Sequence, residues 1–374
     1  MSQHVVTLSS AIRRCSRFHD YSVPIDGTFR DHEIRDVTLY MRHDGIIVNA
    51  EGWFHPRGQL VGEVLYAPDT EGDKRLFGQP YRKVTLRPGS YEPVPYGQRG
   101  VMLAAYDRTL DQTAINPWFA KYKQMLPLTQ FVAMFPCSRA LDRTLRRDSP
   151  SADTIRRDIV DLERLLEFTR DEVHLGLTGA LSLGEIDEYH DLDVVFAGTV
   201  RQNWQLAQRI RNLLLRDPRR RCFEGGKSWS LRFFNNRGML MCCFFTYKYA
   251  TAAPLSNFRM DIIEKDVRAI GTVADDRHAF YTPTLLLIEQ ALVSVNRSGC
   301  TRTWRERQLH VVVYHTASRG DCVRGDRLCA RGALVSIQTP DRTFQAVCVI
   351  ERDGVVNLTP PWPAYYSYTS TAFG

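Results

Sequence analysis

Residues 174–198, HLGLTGALSLGEIDEYHDLDVVFAG, constrain the fold more than any other stretch of the chain. The run reads as strand, tight turn, short helix, loop and strand. Gly179 lets the backbone turn sharply after the first strand. A helix beginning near Ala180 would aim its unpaired N–H groups at whatever lies before it, an arrangement that receives anions. After ten intervening residues, Asp191 and Asp193 stand two apart at the start of DLDVVF, so on a strand both carboxylates project from one face. Two carboxylates facing a phosphate cradle suit Mg²⁺, which takes oxygen from one or two carboxylates together with substrate phosphates. An Asp-x-Asp before an apolar strand is common and carries little alone; the coupling to the strand-glycine-helix unit at this spacing is what predicts a site.

At about 100–200 residues per domain, a chain of 374 residues is expected to hold two or three domains, each able to bury its own core. Residues 1–30 lack sustained periodicity and read as an arm. From Val37 short apolar runs alternate with turn signals, and Pro56, Pro68 and Pro80 exclude a long helix. Residues 31–110 are therefore expected to form a β-rich domain, with a hairpin turn at His43, Asp44 and Gly45. Residues 111–285 are expected to carry the two aspartates, entered through NPWFAKYKQMLPLTQFVAMFP, a Pro-interrupted connector where the pattern shifts toward helix. Ile155, Ile159, Leu162 and Leu166 recur at helical spacing, with Ser151 or Asp153 as the expected cap. A second helix is expected over residues 204–215 and strands over 228–234, 239–247 and 258–263. A helix over 283–295 leads into a C-terminal β-rich region, 286–374, where the Gly325-Asp326 turn and Gly332 suit a bent strand of a small OB-like barrel.

Composition narrows the function classes. Apolar residues make up 44% and charged residues 24%, and no apolar stretch approaches the roughly 18 residues of a membrane span. The opening MSQHVVTLSSAIRRCSRF has no continuous apolar stretch and no small-residue cleavage site, so a soluble, cytoplasmic protein without a membrane partner is expected. Nine cysteines include no C-x-x-C pair, which leaves no zinc pattern. The adjacent Cys242 and Cys243 would face opposite ways on a strand and read as buried reduced thiols.

The segment 176–196 resembles the DNA polymerase β-type nucleotidyltransferases, whose pattern is an apolar residue, Gly, Gly or Ser, a spacer, then Asp-x-Asp or Asp-x-Glu between apolar positions. More narrowly, it is similar to an archaeal and bacterial group of predicted nucleotidyltransferases in which a Gly-x-Thr-Gly-Ser turn precedes a Ser-Asp-x-Asp strand. That group's N-terminal β segment is matched by the run from Gly45 to Val48, by His55-Pro56 and by the run from Tyr81 to Val84. The resemblance implies an α+β chain with a central polymerase β-like core, a mixed sheet with helices, flanked by β-rich N-terminal and small-barrel C-terminal regions. It implies that Gly179, with Thr178, Ala180 and Ser182, receives a nucleoside triphosphate, and that Asp191 and Asp193 are catalytic ligands of Mg²⁺ or Mn²⁺. Ala180 stands where the family has Ser, so a hydroxyl is missing that Thr178 or Ser182 would replace. The family's third carboxylate, a general base or metal ligand, is not in MLMCCFFTY. Asp261 on the next apolar strand is the candidate for that catalytic and metal role, with Glu264 second.

Charge is uneven. Residues 201–237 hold Arg201, Arg209, Arg211, Arg216, Arg219, Arg220, Arg221, Lys227, Arg232 and Arg237 against Asp217 and Glu224, an excess larger than the +7 of the whole chain. A cationic stretch directly after the aspartate strand would neutralise a triphosphate or track an RNA backbone; a solvated helix face is the plain alternative. Lys227, after Gly225 and Gly226, is the candidate phosphate contact, and His190 reads as a surface residue beside Asp191, with orientation of that carboxylate as the alternative. The expected activity is transfer of a nucleoside monophosphate from an NTP such as ATP to an acceptor hydroxyl, RNA among the acceptors, with release of pyrophosphate. A nucleotide- or RNA-binding protein that keeps the fold without turnover is the alternative, and a defence component that modifies tRNA with nucleotides is a third reading.

Overall fold

Strands dominate the observed architecture, which is mixed α+β with few helices. The computed structural model describes residues 8–86, 94, 103, 104, 106, 107, 110, 124–187, 189–224, 227–297, 300–350 and 354–359. At the start, helices Ser10–Arg14 and Ser16–Tyr21 bury Ile12, Phe18 and Tyr21. Phe18 meets Phe77 and Phe135 edge-on at 5.5 and 6.0 Å, so the arm is part of the core.

The first sheet contains β1 (Val23–Pro24), β2 (Leu39–Arg42), β3 (Ile47–Ala50), β4 (Gln59–Pro68), β5 (Lys74–Leu76), β6 (Gln79–Lys83), β7 (Gln124–Pro127) and β8 (Phe131–Phe135). Its order is β1-β8-β2-β3-β4-β6-β5, with β7 on β4. The β2–β3 hairpin turns where the sequence places it. Gly45 sits at φ 88° and its N–H donates to the Arg42 carbonyl at 2.9 Å. The end of the expected helical connector is instead β7 and β8; its first residues, 116–123, lie outside the described ones. Phe131, Ala133 and Phe135 are buried in alternation, a period of two that pairs with open strand edges and overrides the weak helical signal.

Helices Cys137–Arg146 and Pro150–Leu165 lead into the central sheet. The second buries Ile155, Ile159 and Leu162 as the spacing predicts. Its cap is Ser149, not Ser151 or Asp153: the Ser149 hydroxyl accepts from the Ala152 N–H at 3.2 Å, and Pro150 takes the first helical position. The sheet comprises β9 (His174–Leu177), β10 (Asp191–Gly198), β11 (Arg221–Glu224), β12 (Lys227–Phe234) and β13 (Leu240–Tyr247), in the order β11-β12-β13-β10-β9. Only β10 and β13 run parallel. Helix Val200–Arg216 follows β10 and starts earlier than expected, because Thr199 and Gln202 cap it reciprocally.

The third sheet contains β14 (Arg259–His278), β15 (Thr284–Arg297), β16 (Cys300–Val313), β17 (Arg327–Gln338), β18 (Thr343–Val349) and β19 (Val355–Asn357). It curls on itself, since β14 pairs with both β15 and β17. The helix expected over 283–295 is strand β15. Ala291, Val293 and Val295 point inward while both backbone edges pair with β14 and β16, and those ladders outweigh local propensity. Gly332 permits the bend of β17, because a Cβ there would sit 2.0 Å from the Cys348 carbonyl. One buried cluster runs through all three sheets, and Phe54 against Phe258 at 4.6 Å joins the first to the third. Among the described residues no helix is long and apolar enough to cross a membrane.

Candidate metal and nucleotide site

The parallel pairing of β10 with β13 sets Asp193 opposite Cys242, and the β12–β13 pairing sets Arg232 opposite Cys242. Directly opposed residues share a face, so Asp193, Cys242 and Arg232 form a row across three strands, with Asp191 one pleat away. One donor atom each from Asp191, Asp193 and Cys242 lies within 4.8 Å of the others. The Cys242 thiol donates to Asp191 Oδ2 at 3.4 Å. Burial, then the Asp191 charge, raises the Asp193 carboxyl from 3.8 to about 7, against the pull of Arg232 and Lys83. Burial and the same carboxylates push the Cys242 thiol well above its ordinary value. Cys243 faces the other way, into the core, and the described cysteines are free thiols.

Gly179 closes the site from below. Its φ is 63°, and a Cβ would lie 2.3 Å from Asp193 Oδ2, so only glycine lets the turn approach the carboxylate. The Thr178 N–H donates to the Asp193 carbonyl at 3.0 Å and fixes that approach. The expected helix is a single 3₁₀ turn, Gly179–Leu183, ended by Gly184 at φ 78°, where a Cβ would collide with Tyr21 and Arg17 at 2.8 and 2.9 Å. One such turn has no appreciable macrodipole. The Thr178 hydroxyl donates to the Val37 carbonyl at 2.6 Å and the Ser182 hydroxyl to the Gly179 carbonyl at 2.9 Å. Both hydroxyls are engaged in holding the turn.

Other expected residues lie elsewhere. Asp261 is on β14 opposite Ser336, 57% exposed and paired with Arg259 at 3.1 Å, outside the Asp-Asp-Cys cluster. Glu264 shares that strand, opposite Leu334. Lys227 is bound to the Asp321 carboxylate and the Ala317 carbonyl, tying β12 to the loop before β17. The basic stretch is similarly occupied: Arg219 and Arg220 pair with Asp217, Arg232 with Glu224 and Arg237 with Asp158. Arg209 and Arg221 donate to backbone carbonyls of Leu166 and Leu214. His190 is exposed.

Cys242 is the site residue that sequence reasoning passed over; residues 191–196 and 239–247 are far apart in the chain, and the parallel β10–β13 register alone brings the thiol to Asp193. Arg319, from the loop after β16, also reaches this face. Its guanidinium carbon lies 4.6 Å from the ring centre of Phe244, two residues beyond Cys242, and its Nε donates to the Thr316 carbonyl at 3.0 Å. Beside it, burial raises the Asp36 carboxyl to about 7 against the Arg319 charge, while Asp36 accepts from the Gly52 N–H at 2.7 Å. From the first sheet, Lys83 sets a positive charge toward Asp193, and the Tyr66 hydroxyl is raised by burial and then by the Asp193 and Asp191 charges.

Chemically, two carboxylates on one face supply hard oxygen donors that fit Mg²⁺, which completes its shell with water and phosphate. The sulfur in the third position suits softer metals. Comparison with protein-family models, with curated proteins and with solved structures finds no match to this chain.

Proposed function

We propose that the chain is a divalent-metal-dependent nucleotidyltransferase with a polymerase β-like core and an OB-like C-terminal barrel, moving a nucleoside monophosphate from an NTP to an acceptor hydroxyl such as that of RNA. The observation that carries this reading is the Gly179 turn seated against Asp193, with Asp191 and Asp193 on one face of β10. Asp191 and Asp193 would hold Mg²⁺ or Mn²⁺, which supplies charge neutralisation at the transferring phosphorus. Arg232 and Arg319 balance negative charge along the same face.

Cys242 favours a second reading. It stands where the reaction would use a third carboxylate, and a thiol held protonated is a poor base at neutral pH. A protein that binds nucleotide without turnover fits that substitution. Incubation of the purified chain with each α-labelled NTP, Mg²⁺ or Mn²⁺, and cellular RNA or extract separates the two. Transfer of label by the wild type and not by Asp193→Asn supports the enzyme. Nucleotide binding without transfer supports the second reading, and neither binding nor transfer refutes both.

A further inference from the structure

Strands β14 to β17 carry a second arrangement of charge. Arg331 lies opposite Arg268, which lies opposite Ser294. One pleat along, Ile270 lies opposite Leu292, and Leu292 opposite Arg305. One pleat further, Arg327 lies opposite Thr272, and Thr272 opposite Glu289. Val267, Ala269 and Val293, between these rows, point inward and are buried. The outer face therefore presents Arg268, Arg305, Arg327 and Arg331, all exposed, around Leu292, which is 45% exposed. Glu289 is the one carboxylate in these rows. None of the four arginines pairs with a carboxylate among the described residues; Arg268 Nε donates to Cys329 Sγ at 3.1 Å.

We propose that this face binds a single-stranded polynucleotide, with phosphates on the four guanidiniums and a base against Leu292. Neighbouring strands lie about 4.8 Å apart and same-face residues of one strand about 7 Å apart. The arginines are thus anchored at separations that successive phosphates of an extended strand can meet, each through a charge-assisted fork. Like charges gathered on one face repel, and a polyanion relieves that repulsion. The residues of 201–237 that the sequence singles out are instead largely bound to partners within the chain. The proposal rests on charge and register, not on nucleotidyl transfer, and its test needs no turnover.

Fluorescence anisotropy of labelled oligo(U) and oligo(dT) with the full chain, titrated against NaCl, measures it. Four phosphate contacts give a slope of log K on log salt of about −2.8, at about −0.7 per contact for single strands. The double variant Arg268→Gln/Arg331→Gln should lose about 1.4 of that slope. Arg219→Gln, which alters a side chain 90% exposed within residues 201–237, should leave the slope unchanged. An unchanged slope in the double variant, equal loss in Arg219→Gln, or equal competition by polyglutamate or duplex RNA would overturn the proposal. Where circular dichroism shows the double variant unfolded, Arg305→Gln decides, with an expected loss of about 0.7.

Discussion

Replacing Asp193 with Asn should stabilise the metal-free protein above neutral pH and remove its response to Mg²⁺. Burial and the Asp191 charge raise the Asp193 carboxyl from 3.8 to about 7 in the fold, whereas an unfolded chain ionises it at the ordinary value. Between roughly pH 4 and 7 the folded protein holds a proton that the unfolded chain releases, so this group's contribution to stability is complete below the window and is lost as pH rises through it. Each unit corresponds to about 1.4 kcal/mol, and the window to about 4 kcal/mol. Asn has nearly the same shape and no charge to lose. Its advantage over the wild type should be near zero at about pH 4 and grow to about 4 kcal/mol at about pH 8. Asp36 titrates in the same range, but it is present in both proteins and cancels from the difference. Urea unfolding followed by tryptophan fluorescence in EDTA gives both curves. Adding Mg²⁺ at the higher pH should then stabilise only the wild type, because a cation takes the place of the proton. Parallel stability curves across the window, or an Asn variant weaker than the wild type at the higher pH, would refute the account of a carboxylate strained by burial and by its neighbour.

Gly179→Ala should destabilise the fold by roughly 1–3 kcal/mol and abolish stabilisation by Mg²⁺, since the left-handed turn and the 2.3 Å approach to Asp193 Oδ2 both exclude a Cβ; thermal melts with and without Mg²⁺ check it. Cys242→Asp replaces a soft donor with a hard one, and calorimetry should show Mg²⁺ affinity rising by roughly tenfold, about 1.4 kcal/mol, together with lower metal-free stability from a third clustered acid. Asp261→Asn breaks an exposed pair with Arg259 and should shift stability by less than about 0.5 kcal/mol while leaving the Mg²⁺ response intact; loss of that response would return Asp261 to the site.

Within single segments the sequence is informative. The two-residue spacing of Asp191 and Asp193 puts both on one face of β10, and Gly179 turns the chain beneath them. The helical repeat of Ile155, Ile159 and Leu162 buries one face as its period requires, and the Asp44-Gly45 turn joins β2 to β3. Errors gather where a segment's state depends on a distant one. β15 and β8 are strands because open ladders lie on either side of them, and Asp261 is remote because β14 pairs with β17.

The dihedral periods of strand and helix, and the freedom of glycine, act over a few residues, so the aspartate pair and its turn are legible in the local residue order. Cross-strand register and ion pairing join residues far apart in the chain, and only the tertiary structure settled them. It set Cys242 beside Asp193, tied Lys227 to Asp321, and left exposed arginines on β14 to β17 in place of the basic run read from the sequence. A side chain's charge is a property of its residue, but the partner that neutralises it is chosen by packing.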